Sequence, residues 1–157
     1  MFKILLTLFL ALTLHAKNPT YSVKYHGMTL GEVSDLSTLK DFYLKAKVTS
    51  RVARWMLGKD YLVYYSGEKP DIKDAKFKKD KKMIVRAFAA SLESRPKFKR
   101  FEISDIKNIT LECQGEKCSF TYYKKDKVNG KGKIIFDESG AFRSITEEMS
   151  NFEIVRN

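Results

Sequence analysis

Histidine and cysteine are nearly missing from this chain of 157 residues, which holds two of each. A zinc site asks for four ligands, usually Cys or His. His15 falls in an N-terminal apolar run that we expect to be removed, leaving His26 with Cys113 and Cys118. That set is too small, so no metal is expected. The cysteines read C-x-x-x-x-C, not the C-x-x-C of a redox pair. Nucleophilic triads would have to use His26, which alternates with Tyr25 in a strand-like stretch and is expected on the outer face. Carboxylates that are neighbours in sequence, Glu147-Glu148 and Asp137-Glu138, point apart on a strand or sit in a turn. A glycosidase needs two that face across a cleft. Asn129-Gly130-Lys131-Gly132 is too short and too strand-flanked to cradle phosphate. We expect no enzyme and no cofactor. Internal repeats and low-complexity blocks are also lacking, so residues 17–157 are expected to form one domain.

The one long apolar run is MFKILLTLFLALTLHAK. Lys3, the stretch Ile4–Leu14 and the small residue Ala16 are the three parts of a secretory signal. The run falls short of the roughly 20 apolar residues that span a bilayer, and no cysteine follows to carry a lipid. We therefore expect a signal peptide over 1–16, a periplasmic or secreted product, and no transmembrane segment after cleavage.

Export bears on the cysteines, because disulfides persist outside the cytosol. In ITLECQGEKCSFTYY, a hairpin with the loop Gln114-Gly115-Glu116-Lys117 sets Cys113 against Cys118, Leu111 against Phe120 and Ile109 against Tyr122. Alternation along strands puts all six on one face, and opposed Cβ atoms lie near disulfide range. A disulfide is expected, with a free buried pair as the other reading. Asn108-Ile109-Thr110 matches a glycosylation sequon, but on a strand.

Period-two alternation marks the other strands: 21–26, 30–36, 42–49, 60–66, 98–103, 107–113, 118–127, 131–137, 141–147 and 151–155. Gly27, Asn129-Gly130 and Glu138-Ser139-Gly140 supply turn chemistry. Ser50–Leu57 reads as two helical turns ended by Gly58, with an irregular strand as the other reading. DKKMIVRAFAASLE, residues 80–93, has Ile84, Phe88 and Leu92 on one stripe and reads as an amphipathic helix. Lys81 and Lys82 sit unfavourably at its positive end. The expectation is a mainly β fold: an antiparallel meander closed into a small up-and-down barrel, or a half-barrel covered by the helix.

The inward faces would carry Tyr21, Val23, Tyr25, Phe42, Leu44, Phe101, Leu111, Phe120, Tyr122 and Phe136, which either fill the interior or line a slot for an apolar ligand. Formal charge is +11, and residues 69–100 hold twelve basic side chains against four acidic ones. Lys78, Lys79, Lys81, Lys82 and Arg86 form the candidate anion-binding patch. Export argues against nucleic acid as its partner. An anionic envelope surface or an acidic envelope protein fits better, and a solvated loop is the plain alternative.

The order of parts (signal, strand meander, aromatic interior, helix) and the Lys/Tyr-rich style resemble small secreted lipocalin-like, calycin-type proteins of Helicobacter and Campylobacter relatives. The opening Tyr21-Ser-Val23-Lys-Tyr25-His-Gly27-Met-Thr-Leu-Gly31-Glu32 also resembles the first hairpin of a Gram-negative periplasmic β-domain family of unknown function. The first resemblance implies a barrel that binds a small hydrophobic or amphiphilic molecule without catalysis. The competing expectation is a structural or interaction protein of the envelope, such as a motility or secretion accessory, docking an acidic partner through 69–100.

Overall fold

The computed structural model describes residues 18–157; the expected signal segment, 1–16, lies outside the described residues. The fold is mainly β. Its strands are β1 (Tyr21–Tyr25), β2 (Met28–Val33), β3 (Tyr43–Val48), β4 (Tyr61–Tyr65), β5 (Ala75–Lys79), β6 (Lys99–Ser104), β7 (Lys107–Gln114), β8 (Lys117–Lys124), β9 (Lys127–Phe136), β10 (Phe142–Glu147) and β11 (Phe152–Arg156). Among the described residues two α-helices, α1 (Arg51–Leu57) and α2 (Ile84–Glu93), and a 3-10 turn, Ser37–Asp41, interrupt them.

All strands join one 11-stranded sheet in the order β5-β4-β3-β2-β1-β11-β10-β9-β8-β7-β6. Two hairpin meanders meet at its centre, where β1 pairs with β11 from Tyr21↔Arg156 to Tyr25↔Phe152. Every pairing is antiparallel except that of β4 with β5. The expected closed barrel does not form, since β5 and β6 stay as edges. Parallel pairing is one reason: after β4 the chain returns through 66–74 before β5 runs alongside in the same direction. The edges are also charged, with Lys76, Lys78 and Lys79 on β5 and Lys99 and Arg100 on β6. Such residues discourage strand addition.

One face of the sheet holds the core. Val23, Val33, Leu44, Ala46, Ile109, Leu111, Phe120, Ile134, Ile145 and Ile154 are buried there in a single cluster with Val85, Ala87, Phe88 and Ala90 of α2. Residues from β2 and β3 share that cluster with residues from β7 and β8, so the sheet curls around the helix. Phe88 is fully buried, its ring centred 4.7 Å from that of Phe142. Burying a side chain of that size stabilises by roughly 2–3 kcal/mol.

Several local expectations are met with particular chemistry. Ser50 caps α1 by accepting from the Ala53 N–H at 3.3 Å, and Gly58 ends the helix in the left-handed conformation at φ 63°. Cys113 is disulfide-bonded to Cys118, with Leu111↔Phe120 and Ile109↔Tyr122 in the expected register. The loop is tighter than expected, because Gln114 and Lys117 pair and only Gly115-Glu116 turn.

Other expectations are corrected. Asn129-Gly130 is not a turn but lies within β9; Lys125 and Asp126 turn instead, at φ 52° and 60°. Gly130 and Gly132 lie opposite Tyr122 and Phe120, and Gly132 is needed there because a Cβ on it would overlap the Phe120 ring. Residues 75–79, read only as part of the basic segment, form β5. The helix expected from Asp80 begins at Ile84, because Met83 adopts φ 57° and breaks the run. Phe42, expected to open the third strand, ends the 3-10 turn at φ 57°.

Candidate functional site

Between the two edges the curled sheet leaves a seam. Ser66 and Gly67 beyond β4, Lys79 at the end of β5, and Asp80, Lys81, Met83 and Arg86 form one wall; Ile103 of β6 and Lys107 of β7 form the other. They bound an open cleft of about 390 Å³, within the range of small-ligand sites. Four cations line it, against one carboxylate that is turned to another task.

That carboxylate, Asp80, is buried. Its Oδ2 accepts from the Val85 N–H at 2.7 Å, and its Oδ1 accepts from the Lys82 N–H at 3.2 Å and the Tyr64 hydroxyl at 3.0 Å. Asp80 thus serves free N–H groups at the start of α2 and sets a negative charge against the helix's positive end. Burial raises its pKa, and the donated hydrogen bonds oppose that only in part. Burial and the nearby Asp80 charge together push the Tyr64 phenol far up. The Asp80–Tyr64 bond ties the N-terminus of α2, beside the cleft, to β4.

Arg86 is the other fixed element. Its guanidinium lies over the Phe42 ring, 4.2 Å from the centroid, which explains the unexpected position of that phenylalanine. Its Nε is buried and donates to nothing among the described residues. Such a donor is costly to leave unmatched.

The expected patch is therefore divided. Lys79, Lys81 and Arg86 reach the seam together. Lys78 is exposed and sits above the Tyr64 ring at 6.0 Å. Lys82 turns inward, its Nζ 3.9 Å from buried Glu147 and 5.6 Å from the Tyr122 ring centroid. Glu147 is further held by Ser150, whose N–H donates to Oε2 at 2.8 Å. Lys107 was missed; nothing in its sequence neighbourhood links it to 79–86, and only the curl brings them together.

The expected apolar lining is distributed differently again. Tyr21, Val23, Leu44, Leu111, Phe120, Tyr122 and Phe136 are buried, and Phe101 is half-buried against the core. Tyr25 was expected to point inward but is 41% exposed, since it flanks the His26-Gly27 turn. Phe42 is 36% exposed. α2 occupies the concave face onto which most of these residues point. A second depression, about 250 Å³, lies against β6–β8 and is lined by Phe98, Arg100, Asn108, Thr110, Glu112, Tyr123 and Asp126. Asn108, the sequon residue, is buried in β7. Among the described residues no cluster of His, Cys, Asp or Glu is arranged to hold a metal, and no helix is long and apolar enough to cross a membrane.

Comparison with family models, curated proteins and solved structures finds no match.

Proposed function

We propose that this is an exported, non-catalytic binding protein that takes the anionic head of a small amphiphile in the cationic seam. The observation that carries this reading is the convergence of Lys79, Lys81, Arg86 and Lys107 on one cleft whose walls also include Met83 and Ile103. A phosphate or carboxylate there would meet several cationic donors, the ammonium groups of Lys79, Lys81 and Lys107 and the guanidinium of Arg86. Charge-assisted hydrogen bonds of that kind are the strong ones. The short apolar tail of such a molecule would lie along Met83 and Ile103. This moves the ligand from the expected barrel interior to the gap between the edges, because α2 already packs the concave face. The lipocalin-like resemblance agrees with a carrier role and gives no reason to expect chemistry.

Titration calorimetry with dodecyl phosphate and, separately, with inorganic phosphate tests the reading. Dodecyl phosphate should bind, inorganic phosphate should bind more weakly at the same place, and Lys107→Glu should weaken both. No heat from either compound, or binding unaffected by Lys107→Glu, would reject it.

A further inference from the structure

Antiparallel alternation gathers five connections at one end of the sheet: β1–β2 at 26–27, β3–β4 at 49–60, β6–β7 at 105–106, β8–β9 at 125–126 and β10–β11 at 148–151. The exposed large apolar side chains are concentrated there. Tyr25 and Met28 flank the first connection, Val52, Trp55 and Met56 lie on the second, Ile106 on the third, Val128 beside the fourth and Met149 on the fifth. Among the described residues, only Phe42 and Phe98 of the exposed large apolar residues lie elsewhere. Chance scatter of single apolar residues would be ordinary, but an apolar residue on or beside every connection of one rim is not.

α1 shows the same bias within one element. Val52, Trp55 and Met56 stand at i, i+3 and i+4, the spacing of a helical stripe. In α1 that stripe faces outward, 63%, 85% and 71% exposed, while Ala53 is the one residue buried against the protein. A helix packed for its own fold would bury that stripe.

Cations surround these tips. Lys24, Arg51, Lys107, Lys124, Lys125 and Lys127 stand at or beside four of the five connections. Of the acidic groups at this end, Asp60 and Glu148 are in ion pairs with Arg54 and with Lys131 and Lys133. Asp105 and Asp126 sit among the lysines. We infer that this rim docks on an anionic lipid bilayer, with Trp55, Met56 and the turn-tip side chains entering the headgroup region and the lysines meeting lipid phosphates. A bilayer fits better than a protein groove because the apolar groups are separate protruding tips. A soft surface admits each tip independently, whereas a folded partner would need a pocket for each. Apolar insertion plus attraction of Lys and Arg to anionic headgroups is the usual physics of interfacial binding. The inference does not depend on the seam reading, although Lys107 belongs to both regions.

Trp55 is the chain's only tryptophan, so its emission reports on α1 alone and not on the apolar N-terminal run. Added to phosphatidylglycerol vesicles, the full chain should show a blue shift of Trp55 emission and quenching by lipids brominated on their acyl chains. Phosphatidylcholine vesicles should give at least roughly tenfold weaker partitioning, as counter-charge is lost. Met28→Ser/Val128→Ser/Met149→Ser, all at exposed positions, should retain its circular dichroism spectrum and weaken partitioning to phosphatidylglycerol at least roughly tenfold through lost apolar burial. Unchanged Trp55 emission at saturating phosphatidylglycerol, or equal partitioning of the folded triple variant, would overturn the inference. An Arg86→Gln variant separates the two proposals: it should keep the Trp55 response while losing affinity for dodecyl phosphate.

Discussion

At the scale of single residues, close approach of backbone and ring decides more than propensity does. Gly132 lies on the inner face of β9, opposite Phe120 and Glu147 on the neighbouring strands. A Cβ there would collide with the Thr146 carbonyl oxygen and the Phe120 ring at once. The first is backbone and the second is fully packed, so neither can yield without moving a strand. Gly132→Ala should therefore lower stability by about 3 kcal/mol, the upper range for overpacking, measured as a shift of the urea midpoint. Gly27→Ala provides a contrast: nothing surrounds its Cβ, and only its φ of 77° resists, at a cost of about 1 kcal/mol. These two roles of glycine were not separable by reading the chain. Asn129-Gly130 carries the dipeptide preferred in tight turns, yet Lys125-Asp126 turns, and Gly132 is the glycine that leaves room for Phe120. The cysteines were legible for the opposite reason: their partners, Leu111 with Phe120 and Ile109 with Tyr122, lie in the same hairpin, where alternation alone sets the register.

Among the elements, α2 shows how a helix can start without a local cap. Met83, its N-cap residue, makes no side-chain capping bond, and Lys81 and Lys82 oppose the helix dipole. Asp80 compensates from outside the helix, accepting from Val85 N–H and from Tyr64. Asp80→Ala removes that acceptor and leaves the Tyr64 hydroxyl without its partner. The expected loss is about 2–4 kcal/mol, combining a missing cap with a buried unmatched group. The pH dependence has a definite sign. Burial raises the Asp80 pKa in the folded state, so the native protein keeps the proton over a range where the unfolded chain has released it. The stabilisation linked to that proton is full below about pH 4, the ordinary carboxylate value, and is lost as pH rises through the folded value. Denaturation of wild type and Asp80→Ala across this range should show the difference between them shrinking as pH rises; a difference growing with pH would contradict the assignment. The helix itself was legible from its apolar stripe, but its start was not. Asp80 reads as a first-turn residue until its long-range partner on β4 is known.

For the whole molecule, the telling feature is the β1–β11 pairing. The meander from β1 to β4 and the meander from β6 to β11 share a continuous sheet only through these two strands. Their alternation was visible in the sequence, and so was a mainly β architecture. Closure was not, because whether the last edges meet depends on curl summed over all the strands, on the parallel turn-back into β5 and on charges at the two edges. The seam is a product of that failure to close, which is why Lys107 could not be placed beside Lys79 beforehand. Ile154 sits at the junction, 1% exposed, between Val23 on β1 and Ile145 on β10. Truncating it removes packing from both meanders at once, so Ile154→Ala should cost about 4 kcal/mol, near the upper range for large-to-small core changes. The edge residue Phe101 makes a useful comparison, since it is only half-buried and neighbours a single strand; Phe101→Ala should cost less although it deletes more atoms. If the order of these two losses in urea denaturation were reversed, the curled sheet would not derive its cohesion from the central seam of strands, and the edges that frame the cationic cleft would be the stronger part of the fold.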